Sequence, residues 1–220
     1  MPAVRPPTAS SGAPDPTTGA APALRAPSTG GPAEESPAER APAGVRRHVV
    51  LVGLPGAGKS TVGPVVAEAL GRPFLDLDAE LERQAGMSVA DLFAREGEGE
   101  FRRREAELSA HLRDADAMVL APGGGWLENR SASACLRPVA RLVYLRVSGA
   151  TALARLGGAL ATRPLLAGSD PRQRLDALFA RRAPLYAGAD HVVEAEGAGP
   201  VEVAARVVEV VRTAEGGWGV

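Results

Sequence analysis

Gly53-Leu54-Pro55-Gly56-Ala57-Gly58-Lys59-Ser60-Thr61 is a glycine-rich run that ends in a lysine and two hydroxyl residues. At this spacing the backbone N–H groups turn inward around phosphate oxygens, and a helix opening at Gly58 adds the positive end of its dipole. Gly56, Ala57, Gly58, Lys59, Ser60 and Thr61 then form a cradle for nucleotide phosphates. Lys59 reaches the β and γ phosphates, and the Ser60 hydroxyl is a ligand for Mg²⁺. Lys59 is the only lysine in the chain, every other long basic side chain being arginine. A compact ammonium is kept at the one place where it has a phosphate to neutralise.

Four further groups follow. Asp76-Leu77-Asp78 ends the short apolar run that starts at Phe74, and strand alternation would put both carboxylates on one side at the carboxyl edge, one for metal and one for substrate. The alternative is that they cap a helix beginning near Ala79. Arg102 and Glu105 stand one helical turn apart and can pair, making the arginine a pre-oriented fork for a carboxylate. The stretch also reads as a solvated charged face. Gly123, Gly124 and Gly125 follow a short apolar run directly, where backbone without side chains admits a ligand to the end of a strand. Arg182 lies just before Pro184, whose break in a helix would aim it inward; only one of Arg181 and Arg182 can face a site.

The elements needed to hold these groups alternate along the chain. Strands are expected at residues 48–52, 74–77, 117–121, 140–147 and 191–194. Helices are expected at 59–70, 98–113, 149–156, 171–187 and 201–213. Strands apolar on both faces require helices on both sides, so the expected fold class is α/β, a three-layer αβα sandwich around a parallel sheet. Residues 1–44 are Pro, Ala, Ser, Thr and Gly with almost no large apolar side chain and read as a disordered tail; the domain is placed at residues 45–220.

A net charge of −1 offers no electrostatic footprint for nucleic acid or an anionic membrane, which leaves a small metabolite as the expected partner. Cys135 is the only cysteine, no apolar run reaches the length of a membrane span, and no secretory signal pattern opens the chain. A cytoplasmic setting is expected. His48, His111 and His191 lack metal-ligand spacing, and Cys135 is expected to be a buried or semi-buried helix residue.

The motifs GLPGAGKST, DLD, FRRRE, GGG, RPLL and RAPLY, in this order over residues 50–194, resemble the shikimate kinase family. The resemblance implies a nucleoside monophosphate kinase-like P-loop fold, with a five-stranded parallel sheet and a mobile lid. It implies transfer of the γ-phosphoryl group of ATP to the 3-hydroxyl of shikimate. On that likeness Asp78 binds the acceptor hydroxyls and is the candidate base, Arg102 and Arg182 grip the ring carboxylate, and Gly123, Gly124 and Gly125 line the pocket. Asp76 holds Mg²⁺ through water beside Ser60. Arg163 closes over the phosphates, Arg155 packs on adenine, and the segment 157–170 closes as a lid on Gly157, Gly158 and Gly168. Two features depart from the pattern: Pro122 replaces a small hydroxyl residue before the glycines, and the spacing from Arg155 to Arg163 is slightly long. A monomer is expected. The competing readings are a kinase for another small acceptor, such as gluconate or a nucleoside monophosphate, and a ligand-sensing domain without catalysis.

Overall fold

The computed structural model describes residues 47–157 and 170–216. The expected tail, Arg163, Gly158 and Gly168 lie outside the described residues. The strands are β1 (His48–Val52), β2 (Phe74–Asp76), β3 (Val119–Ala121), β4 (Ala140–Arg146) and β5 (His191–Glu194). They form one parallel sheet in the order β2-β3-β1-β4-β5. The helices are α1 (Lys59–Leu70), α2 (Leu77–Ala85), α3 (Val89–Leu112), α4 (Arg130–Leu136), α5 (Gly149–Leu156), α6 (Pro171–Ala187) and α7 (Pro200–Gly216). They cover both faces of the sheet in a three-layer αβα arrangement.

Every residue of β1 is buried, which is why HVVLV reads as an apolar run rather than an alternating one. β1 is central, flanked by β3 through Val49↔Val119 and by β4 through Leu51↔Val143. The chain leaves β1 for one edge, returns through β3, and then builds β4 and β5 on the other side. This reversal opens a crevice at the carboxyl ends of the central strands, where open α/β sheets bind ligands. At the opposite end, the buried Arg72 donates to Arg47 O (3.0 Å) and to both oxygens of Glu215 (2.7 and 2.6 Å), tying the entry of β1 to the end of α7.

The expected strands and helices are present with shifted ends, β4 stopping at Arg146 rather than residue 147, and α2 and α4 stand outside the helix ranges expected from the sequence. β2 stops at Asp76 because the Asp76 carboxylate accepts from the backbone N–H groups of Asp78 (3.1 Å) and Ala79 (3.2 Å), starting α2 at Leu77. β3 begins at Val119 rather than residue 117. α3 is two helical segments meeting at a kink at Gly97, whose φ of 82° and ψ of 169° are non-helical and suit glycine; the first starts at Val89, capped by Ser88, and the expected start at residue 98 falls just after the kink. α7 extends to Gly216. α4 carries Cys135, which is partly buried.

α1 packs on β2 closely enough that glycine is required at position 63. A Cβ built there would collide with the Phe74 ring, lying 2.9 Å from both Cδ2 and Cζ. Gly63→Ala would gain helix propensity of about 1 kcal/mol. Overpacking typically costs more, about 1–3 kcal/mol. The expected outcome is a lower Tm in thermal unfolding; a raised Tm would show that Phe74 moves aside freely.

Candidate active site

The loop after β1 is shaped for an anion. Gly58 caps α1 at φ 98°, and Gly56 stands at φ 85° against α5, where a Cβ would run into the Ala152 carbonyl. Ala57 N donates to Leu54 O at 3.0 Å and closes the turn. Lys59 is buried, and its Nζ donates to the carbonyls of Gly53 (3.0 Å) and Leu54 (3.2 Å), so the ammonium is held inside the curl of the loop. A cavity of about 470 Å³ opens over it, lined by loop residues 55–62 and by Arg155, Leu156, Ala198, Pro200 and Val203. Polar phosphate donors at one end and apolar side chains at the other suit a nucleotide. Arg155 borders this cavity and spans it, donating from Nη1 to Ala57 O (3.5 Å) and from Nη2 to Ala195 O (2.9 Å).

Beneath the loop, Ser60 Oγ donates to Asp76 Oδ2 at 2.5 Å. The two oxygens meet, but the two aspartates do not share a strand face. Asp76 spends its other oxygen capping α2, and Asp78 sits in the first turn of that helix, so helical rather than strand geometry separates them. A hydroxyl and a carboxylate oxygen in contact suit Mg²⁺, which takes one or two protein oxygens and fills its octahedron with phosphate and water. Among the described residues no group of three or more His, Cys, Asp or Glu side chains is arranged to hold a metal.

Gly123, Gly124 and Gly125 bring the remaining groups together. A Cβ built on Gly123 would lie 2.7 Å from Asp78 Oδ1, and one on Gly124 would lie 3.0 Å from Pro55 Cδ and 3.1 Å from Arg182 Nη1. On Gly125 it would lie 2.6 Å from Arg102 Nη2 and 3.1 Å from Arg182 Nη2. Asp78, Arg102 and Arg182 therefore converge on one stretch of bare backbone beside the phosphate loop.

Each arginine is held by glutamate. Arg102 Nη1 donates to Glu105 Oε2 at 2.9 Å, and Nη2 to Glu98 Oε1 at 3.1 Å. Burial works against the Arg102 cation, but Glu105 and Glu98 outweigh it and hold its pKa above the ordinary value. Glu105 is itself buried and also receives Asn129 Nδ2 at 2.9 Å. Arg182 donates from Nε to Glu128 Oε2 at 2.8 Å. Tyr186 donates to Gly124 O at 3.2 Å and stacks on Tyr144 at 4.9 Å; burial pushes its phenol up to about 12.

Arg182 is buried for a reason other than a proline break. α6 continues through Pro184, and Leu175, Leu178, Arg182 and Tyr186 share its buried face at helical spacing, while the Arg181 side chain is 62% exposed. Glu128, Asn129 and Pro55 belong to the site without having been singled out from sequence. The one available signal was position, immediately beyond the glycines or within the phosphate loop. Pro122 is buried between β3 and the glycines.

The Shikimate kinase family model matches residues 55–212. A shikimate kinase of Symbiobacterium thermophilum is 50% identical over 149 residues, covering 66% of this chain and 84% of the relative. One from a Synechococcus species is 40% identical over 162 residues, covering 74% and 83%. The structure of the Acinetobacter baumannii shikimate kinase in complex with shikimate is similar with a TM-score of 0.74 and 35% identity, covering 78% of this chain and 96% of that one. The family model and these relatives cover most of the folded chain and most of the relatives' own length, and the chain belongs to the shikimate kinase family.

Proposed function

We propose that the chain transfers the γ-phosphoryl group of ATP to the 3-hydroxyl of shikimate, giving shikimate 3-phosphate and ADP. The observation that carries this is the meeting of one carboxylate, Asp78, and two guanidinium groups, Arg102 and Arg182, on the glycine run that touches Pro55 of the phosphate loop. A small carboxylated polyol needs a fork for its carboxylate at one end and an acceptor for its hydroxyl proton at the other, and this pocket has both. The family match supports the same reading.

In this mechanism Arg102 and Arg182 orient the acceptor through its carboxylate, and Asp78 hydrogen-bonds the attacking hydroxyl and finally accepts its proton. Backbone N–H groups of residues 56–61 and the Lys59 ammonium hold the phosphates and stabilise the charge that develops on the transferring group. Ser60, directly, and Asp76, through water, would hold Mg²⁺, which would supply further neutralisation of phosphate charge. Arg155 borders the base end of the cavity and would pack on adenine. Arg163 would close over the phosphates as part of the lid that begins at Gly157, whose φ of 44° caps α5. Closure would exclude water, which otherwise competes as acceptor.

The kinase domain is assigned to residues 45–220, acting as a monomer in the cytoplasm without nucleic acid or membrane partners. Among the described residues no helix is long and apolar enough to cross a membrane. The test is ADP release by the full chain with Mg²⁺ and ATP, comparing shikimate, gluconate, nucleoside monophosphates and no acceptor. Turnover with shikimate alone is expected. Turnover with another acceptor, or shikimate binding without any turnover, would replace this reading with one of its two competitors.

A further inference from the structure

Glu128 ends a 3-10 turn, Trp126–Glu128, that is pinned directly to the glycine run. Trp126 N donates to Gly123 O and Glu128 N to Gly125 O, each at 3.0 Å, while the buried indole donates to Ser109 Oγ at 3.1 Å. From this fixed turn Glu128 divides its two oxygens between neighbouring arginines. Oε2 accepts from Arg182 Nε at 2.8 Å and lies 2.7 Å from Arg182 Nη2; Oε1 lies 2.6 Å from Arg181 Nε.

A guanidinium has a side-on fork, Nε with Nη2, and an end-on fork, Nη1 with Nη2. Glu128 lies against the side-on fork of Arg182, hydrogen-bonded at Nε and ion-paired at Nη2. The end-on fork faces the glycines, with Nη1 and Nη2 each 3.1 Å from the built Cβ positions at Gly124 and Gly125. Nη2 is buried and, although ion-paired to Glu128, has no acceptor in hydrogen-bond geometry. A buried donor without an acceptor is costly, and a ligand carboxylate lying on the glycine run would satisfy it. Resting on the reading of Arg182 as the carboxylate grip, we propose that Glu128 is a positioning residue that presents the end-on fork of Arg182 to the acceptor and so sets the affinity for carboxylated acceptors.

A carboxylate placed next to an anion pocket needs a reason, because its charge alone repels the ligand. Here Arg102, Arg181 and Arg182 are matched by Glu98, Glu105 and Glu128. Burial opposes ionisation of Glu128, yet Arg182 and Arg181 outweigh it and hold its pKa below the ordinary carboxylate value. The grip therefore depends on how the N–H donors are aimed more than on net positive charge. The two accounts predict opposite signs for Glu128→Gln. Removing a negative charge tightens anion binding if charge governs. Binding weakens if aim governs, because glutamine offers one acceptor oxygen and turns an N–H group toward one of two arginine donors.

The test is steady-state kinetics of the full chain, with shikimate affinity also measured by calorimetry so that the result does not depend on turnover. Glu128→Gln is expected to raise the shikimate KM and Kd about tenfold, equivalent to about 1.4 kcal/mol, with kcat within about threefold and the ATP KM unchanged. An unchanged or lowered shikimate KM would overturn the proposal. So would parallel losses for ATP and shikimate with a lowered Tm, which would assign Glu128 to folding. In an Arg182→Lys background the same change is expected to add less than about twofold, since Glu128 acts through Arg182; a full tenfold effect there would also sink it. The wild-type acceptor assay separates failure of this inference from failure of the kinase reading.

Discussion

Lys59→Met is expected to lower kcat by about a thousandfold while the protein stays folded, the loss typical of removing a transition-state charge partner in a water-excluded site. In the described structure the ammonium bonds to the carbonyls of Gly53 and Leu54, so the lysine is already stored at the centre of the loop. Methionine keeps the apolar stem and removes the ammonium, with its charge and its two donated hydrogen bonds, while the loop packing around Leu54 and Val62 should persist. A coupled assay for ADP measures kcat, and thermal unfolding checks the fold. A variant with near-normal kcat would remove Lys59 from the chemistry and leave it a role in shaping the loop.

Arg182→Ala is the second large effect, with an expected rise in the shikimate KM of about a hundredfold. Truncating one partner of a buried, hydrogen-bonded charge pair costs about 2–5 kcal/mol, and here the lost group is both the proposed ligand grip and the counter-ion to Glu128. The ATP KM should change little, because the arginine faces Gly124 and Gly125 rather than the nucleotide cavity. Calorimetric titration with shikimate and with ATP separates the two. Equal weakening of both ligands would show that the cost is structural, arising from the face of α6 that Arg182 shares with Tyr186.

The two effects differ in how early they could be foreseen. Lys59 was assigned from spacing alone, because a phosphate loop is a local object: strand, glycines, lysine and helix follow one another within a dozen residues, and backbone geometry does the rest. The parallel sheet was equally legible, since a strand buried on both faces is a near-continuous apolar run, as HVVLV is after His48. Arg102 with Glu105 also followed from local periodicity, one turn apart on one helix.

At one segment the sequence left two local rules in competition. Asp76-Leu77-Asp78 satisfied both strand alternation and helix capping, and the cap prevailed because the Asp76 carboxylate satisfies two backbone donors that the opening turn of α2 would otherwise leave without partners. Arg182 was expected to face inward because of Pro184; its inward aim follows instead from its place on the apolar stripe of α6.

The sequence by itself determined the class of chemistry, the phosphate loop, the order of strands and helices, and which side chains were chemically equipped for an acceptor, since each depends on neighbours within a turn or two of the chain. Tertiary structure alone decided that Asp78, Arg102 and Arg182 meet on one glycine run, that Ser60 touches Asp76, and that Glu128 aims Arg182. Those contacts join residues between 16 and 54 positions apart or farther, and only the crossing of the chain at β1 and the packing of α6 against the turn after the glycines bring them within hydrogen-bond range.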